Sequence, residues 1–400
     1  MTQSKVCMTT LEFPPDVGGV GESVARIANL LKDIGYEVHI AVFHSKQRKA
    51  EGYYRSDCRT TDQGGIQVHR LTPASRSNAP ILQDYRSEIY FQLKQLHHQH
   101  QFDLFHAFFI NETGFITTLL AKEEGIPIIN SVRGSDLHKH VFSPKQHGQI
   151  SWILENSDWV TFVSRDLQKR GQVLVPTLKA RSSAFWNSIQ PIDFSALPTH
   201  LPLANQLKKE LVIGSVGRFR DKKGLEYLLE ACADLRQTMP LTLLLVGDFA
   251  ERERPYWEAA IHDRGMENNI VITGMVPRAE GMAYLRYMDI YAIPSLHDGC
   301  PNALLEAMLA GRAIVGTNVD AIGEILDHNC NGLVVTPGFS AELKAAILTL
   351  AQSPDLRQRL GQTAQATARQ ELSPIVEQRN WARVYQQVLT SPFTLLSSLS

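Results

Sequence analysis

The sequence is poor in the features that mark secreted, zinc-fingered, membrane-spanning or nucleic-acid-binding chains. Its five cysteines, at 7, 58, 232, 300 and 330, are odd in number and widely scattered, with no CxxC or CxxxH spacing. Neither a disulfide framework nor a zinc site is indicated, and the thiols read as reduced ones of a cytoplasmic protein. No uninterrupted apolar run approaches the ~18–20 residues of a membrane helix. The opening MTQSKVCMTTLEFPPD is too polar for a signal peptide. A surface patch suffices for peripheral contact, so the inner membrane face stays open as a location. Basic and acidic residues number 40 and 41, which leaves no whole-chain field to attract nucleic acid. The one basic cluster singled out, KQRK at 46–49, reads as solvated loop charge. No Asp-x-Asp follows a strand in cleft-like context, so no catalytic metal is expected.

What is present is an alternation of strands and helices, twice over. Four hundred residues exceed one core and predict two domains. Strands are expected at 6–11, 38–43, 66–70, 104–106, 126–131 and 159–163, and residues 45–63 read as an irregular polar excursion. Val24, Ile27, Ala28, Leu31 and Ile34 recur at helical spacing and stop at Gly35, a C-terminal cap. The alternation restarts with strands at 211–216, 241–246, 270–273, 290–293, 313–316 and 333–335. The result is an α/β protein with two Rossmann-like, doubly wound parallel sheets. Domains are placed at 1–192 and 211–373, with a polar, proline-containing linker at 193–210 and a last helix and tail in 374–400.

The richest stretch is 294–311, PSLHDGCPNALLEAMLAG, where Asp298 and Glu306 are separated by seven residues. Pro301 suits a helix start, and Leu304, Leu305, Met308 and Leu309 form an apolar stripe behind it. One acid is thus set at a loop mouth and the other on the helix, whose start favours an anion such as a diphosphate. Arg218 and the Lys222-Lys223-Gly224 run follow the strand at 211–216. Arginine grips two oxygens and lysine supplies a point charge, a pairing suited to a diphosphate. Gly18-Gly19 follows the first strand but is no dinucleotide fingerprint, because Val24 stands where the third glycine belongs. A turn needing positive φ accounts for that pair as well as a glycine loop that lets backbone approach a phosphate, and the two are compatible.

The 294–311 stretch resembles the donor motif of the family-4 retaining glycosyltransferases, with Asp298 where a glutamate is usual. The resemblance implies the GT-B fold, two Rossmann-like domains facing a central cleft, and a last helix that crosses back to the first domain. It implies a retaining transferase that moves a sugar from a nucleotide diphosphate-sugar to a hydroxyl acceptor, with no cofactor beyond that substrate and UDP-sugars the commonest donors. By the same resemblance Asp298 contacts the sugar, Glu306 the ribose, and Arg218 and Lys223 the phosphates. Gly18, Gly19, Met275, Val276, Gly299, Cys300, Asn302 and Ala303 complete the donor site. On the acceptor side, residues 102–107 (FDLFHA) resemble a strand end carrying His106, with Phe108 in place of a second histidine. Residues 132–136 (VRGSD) resemble a segment in which Arg133 replaces a histidine near the sugar and Asp136 follows. A guanidinium cannot accept a proton, so Arg133 would bind an anionic group or steady the phosphate. A nucleotide-sugar epimerase on this architecture, or a catalytically silent nucleotide-sugar binder, is the alternative.

Overall fold

The computed structural model describes residues 3–16, 18–43, 53, 55–75, 85–207 and 210–390. The basic cluster at 46–49 and the tail from 391 lie outside these residues. The described chain forms two compact units, one running up to Trp186 and resuming at Ile375, the other Asn187–Pro374.

The strands of the first unit are β1 (Lys5–Thr10), β2 (Glu37–Phe43), β3 (Asp57–Asp62), β4 (Gln67–Thr72), β5 (Leu104–Phe108), β6 (Ile128–Val132), β7 (Trp159–Phe162) and β8 (Ser182–Ala184). They form one sheet in the order β3-β4-β2-β1-β5-β6-β7-β8. Central strands are buried throughout, as crossover helices on both faces require. One face packs Val24, Ile27 and Leu31 of the helix Gly19–Asp33 with Trp381, Val384, Tyr385 and Val388 of the last helix, Pro374–Leu389. That helix is therefore part of the first unit, and Arg26 Nε donates to Glu377 Oε2 at 2.8 Å to pin its start. Helices Tyr85–His100 and Glu112–Glu124 cover the other face.

Two first-unit strands escape sequence reading. Residues 45–63, expected to be irregular, contain β3, antiparallel to β4 through a hairpin at Gly64-Gly65. All six residues of β3 are exposed, so this edge strand has no apolar alternation to betray it. It also makes the first sheet mixed rather than wholly parallel. The three-residue β8 is half-buried and equally silent.

The second unit holds β9 (Leu211–Val216), β10 (Leu241–Val246), β11 (Ile270–Ile272), β12 (Ile290–Ile293), β13 (Ala313–Thr317) and β14 (Leu333–Val335). Their order is β11-β10-β9-β12-β13-β14, all parallel. The strand order reverses between β9 and β12, so loops after these two strands open at a switch point, where α/β sheets bind ligands.

Residues 187–207, expected to begin as first domain and continue as linker, pack with the second unit. Ile189 N donates to Leu372 O, Leu203 N to the Tyr284 hydroxyl, and Arg286 Nη1 to Phe194 O. Proline-rich composition hid these contacts because they are made one at a time by backbone groups, without periodicity.

Candidate functional site

The site of the second unit is built on backbone that only glycine permits. Gly224, at φ 63, would place a Cβ 2.0 Å from the Pro294 carbonyl, and Gly247, at φ 133, would place one 1.9 Å from the Gly217 carbonyl. The loops after β9, β10 and β12 thus meet backbone to backbone. Leu296 N donates to Lys222 O at 2.9 Å, stitching the β9 loop to the β12 loop.

This stitching carries the cations to the acid. Lys223 Nζ donates to Asp298 Oδ2 at 2.5 Å, and Lys222 Nζ lies 3.6 Å from Oδ1. Burial pushes the Asp298 carboxyl up, but the charges of Lys223 and Lys222 outweigh it and hold the group below its ordinary value. The acid is therefore ionised, and the three side chains together keep one net positive charge. Arg218 stands exposed at the start of the same loop. Asp298 is fixed from behind, because its backbone N–H donates to Asp320 Oδ2 at 2.9 Å. Asp320 reaches it from a left-handed backbone, φ 43, at the start of helix Asp320–Ile325.

Glu306 lies one helix turn in from Asn302, the first residue of helix Asn302–Leu309. Pro301, expected as the first helical residue, caps the helix instead. Arg278 donates through Nη2 and Nε to Glu306 Oε1 at 2.9 and 3.1 Å. Tyr291, wholly buried in β12, has its hydroxyl raised first by burial and then by the charges of Glu306 and Asp298. The charges of both acids thus reach one ring on β12. Gly299 directly follows Asp298 and Ala303 lies in the first turn of the helix that carries Glu306. Met275 and Val276 lie in the loop after β11, Met275 standing 66% exposed beside Gly274 at φ 69. Cys300 and Asn302 serve another end. Asn187 donates to Cys300 Sγ, Cys300 O and Asn302 Oδ1 at 3.4, 3.1 and 3.3 Å, docking the segment that enters the unit. Arg278, Asp320 and Tyr291 went unnoticed in the sequence. They lie 28, 22 and 7 positions from their acids, at spacings no local motif encodes.

The first-unit residues are gathered less closely. Gly18 caps helix Gly19–Asp33 at φ 177, an extended conformation open to any residue. The positive-φ explanation therefore fails for Gly18, and Gly19 lies outside the left-handed region too. A Cβ at 18 would meet Glu12 Oε2 at 2.1 Å, the end of a flexible side chain that can swing aside. His106, expected on the acceptor side, is completely buried. Its Nδ1 pairs with the Tyr385 hydroxyl and its Nε2 with Ser131 Oγ, both at 2.7 Å, so no ring nitrogen is left for a ligand. Burial, then the Arg133 charge, lowers its pKa to about 3. Asp136 is equally enclosed, its carboxylate accepting from the backbone of Arg133 and Ile110 at 2.9 and 3.1 Å. It braces the loops after β5 and β6. Arg133 is half-exposed, with its guanidinium 6.0 Å from the Phe108 ring.

Known proteins can now be set beside this geometry. Residues 210–353 match the family described as Glycosyl transferases group 1, and residues 17–174 match Glycosyltransferase Family 4. The amylovoran biosynthesis glycosyltransferase AmsK of Erwinia amylovora is 33% identical over 173 residues, 41% of this chain and 40% of that protein. An uncharacterized glycosyltransferase of Methanocaldococcus jannaschii is 24% identical over 90% of this chain and 91% of its own length. Among solved structures, Anabaena HepE in complex with UDP superposes with a TM-score of 0.74 over 96% of this chain and all of that one, at 19% identity. No helix of the described residues is long and apolar enough to cross a membrane. The two family matches divide the chain as its two sheets do, and the chain belongs to the family they describe, the family-4, group-1 glycosyltransferases of GT-B fold.

Proposed function

We propose that this glycosyltransferase takes its sugar from a nucleotide diphosphate-sugar and transfers it to a hydroxyl acceptor with retention of anomeric configuration. The observation that carries the reading is the 2.5 Å contact between Lys223 and Asp298, with Arg218 exposed at the start of the loop that carries Lys223. Positive charge is concentrated where a departing diphosphate would need it, and the low-dielectric strand end strengthens its effect. A uridine nucleotide is the favoured donor, on the strength of HepE's complex with UDP.

In this scheme Arg218, Lys222 and Lys223 hold the diphosphate, Glu306 accepts from the ribose hydroxyls, and Asp298 aligns the lysines and reaches the sugar. Arg278 donates twice to Glu306 Oε1 and holds the carboxylate turned for that task. The bond from the anomeric carbon to the β-phosphate oxygen breaks, and the acceptor oxygen bonds to the same carbon on the same face. The acceptor proton passes to the leaving diphosphate, so no side-chain base is required; this suits an arginine at position 133. Arg133 is retained as a cation for an anionic acceptor.

The test is a thermal-shift series with UDP, GDP and ADP, followed by mass spectrometry of transfer from the matching sugar donors. A ligand that binds only the native form raises the melting temperature. UDP is expected to give the largest shift, with UDP released only when a hydroxyl acceptor is supplied. Product formed from the donor alone would indicate an epimerase, and tight nucleotide binding without transfer to any acceptor a silent binder.

A further inference from the structure

The first unit contains a histidine cluster that the transferase chemistry does not use. His39 on β2, His69 on β4 and His100 at the end of helix Tyr85–His100 each bring one ring nitrogen within 4.8 Å of one from both others. Alternation along the strands puts His39 with Ala41 and Phe43, and His69 with Leu71, on one sheet face. The register pairs His69 with Ala41, so the two rings meet diagonally. We propose that His39, His69 and His100 form a binding site for a divalent late first-row cation of the zinc class, with Glu37 orienting one ligand from behind.

The hydrogen bonds around the rings show how the site works. His39 Nε2 lies 3.1 Å from Glu37 Oε1, His39 Nδ1 lies 2.9 Å from His69 Nε2, and His69 Nδ1 lies 2.8 Å from Thr60 Oγ1. A carboxylate oxygen of Glu37 faces His39 Nε2 and can only accept, so Nε2 carries the His39 proton. The Nδ1 lone pair of His39 then points at His69 Nε2. One proton, carried by His69 Nε2, bridges these two nitrogens. A cation takes its place when His69 changes tautomer: the same proton then sits on Nδ1 and is donated to Thr60 Oγ1, and the lone pairs of His39 Nδ1 and His69 Nε2 face the ion. Both outer nitrogens are thus already provided with partners, the arrangement that fixes imidazole ligands on metals.

Spacing and environment agree. Nitrogens bound at ~2.0–2.1 Å in a tetrahedron lie roughly 3.3 Å apart, so a rotation of His100 closes the set. His100 is half-exposed, which gives the ion a way in and leaves a fourth position for water. It also ends a helix, where the dipole favours a cation. Phe102 walls the cluster, 5.0 Å from His39 and 5.8 Å from His100. Imidazole donors select zinc, copper or nickel over magnesium or calcium. The cluster sits at the amino ends of the strands, opposite the edge that carries Gly18 and Arg133, so the ion clips β2, β4 and the helix together rather than joining the transfer reaction.

The test titrates Zn2+ alone into the untagged full chain by calorimetry, with Co2+ absorption as a readout of nitrogen ligands. One ion per chain is expected, with a rise in melting temperature that chelator reverses. His100→Ala, at a half-exposed helix end, should fold normally and lose at least tenfold in affinity, as should His69→Gln. Glu37→Gln should cost about 10–100-fold. Absence of stoichiometric binding, or binding unchanged in both histidine variants and hence made elsewhere, for example at the exposed thiols of Cys58 and Cys330, overturns the proposal.

Discussion

At the scale of single residues, the contact between Lys223 and Asp298 governs the donor site. Removing one partner of a largely buried ion pair leaves a charge without compensation, but here Lys222 remains 3.6 Å away to limit the damage. Lys223→Ala should therefore stay folded while turnover falls roughly 100-fold, the scale of losing one donor to a developing negative charge. Arg218→Ala should lower turnover in the same direction with no change in stability, since that side chain is exposed. Steady-state rates beside melting curves check both, and unchanged turnover in the two variants would reject the phosphate-clamp assignment. Glu306→Ala removes a charged acceptor, each of whose hydrogen bonds contributes about 1.5–3 kcal/mol. Nucleotide affinity measured by calorimetry should weaken about 10–100-fold, and equal affinity would exclude the ribose role. The acid pair could be seen in the sequence because one loop and one short helix carry both members. Arg278 could not, since it reaches Glu306 from another helix start.

At the scale of elements, the last helix is as much core as surface. Trp381 and Tyr385 are buried, and the Tyr385 hydroxyl bonds to His106 in the strand β5. Trp381→Ala should destabilise the first unit by about 3–5 kcal/mol, the cost of emptying a large aromatic site. Hydrogen exchange resolved by segment should show faster opening in 5–10 and 104–108 while 241–246 is unaffected. Uniform change across both sheets would contradict the helix's assignment to the first unit. Its apolar spacing announced the helix, but its partner is 279 positions distant, a distance no local pattern spans. The opposite failure is β3, whose place in the sheet is set by the backbone of β4 while its side chains face water.

At the scale of the whole molecule, stability should depend on acid. A histidine in the unfolded chain titrates near 6.5, whereas His106 in the fold is lowered to about 3. Between these values the unfolded chain binds a proton that the native one refuses, so stability is full above about 6.5 and lost as pH falls toward 3. The contribution is on the order of 5 kcal/mol at ~1.36 kcal/mol per unit. Asp298, also lowered, adds a loss of the same sign at the acid end. His106→Gln should be less stable at neutral pH yet show a shallower acid limb in denaturant titrations; parallel limbs would remove His106 from the account.

The amino-acid sequence determined the two sheets and their parallel strands, apart from the antiparallel β3 and the short β8, together with the helix carrying Glu306 and the family resemblance. These rest on runs and periods a few residues long, where burial on both faces of a strand or one face of a helix leaves its mark in composition. Only the tertiary structure decided that His106 and Asp136 are enclosed, that residues 187–207 belong to the second unit, and that Arg278 and Asp320 hold the two acids. It alone gathered His39, His69 and His100. Such contacts join positions far apart along the chain through single hydrogen bonds and ion pairs, and a lone polar residue looks the same in a sequence whether it ends in solvent or in the core.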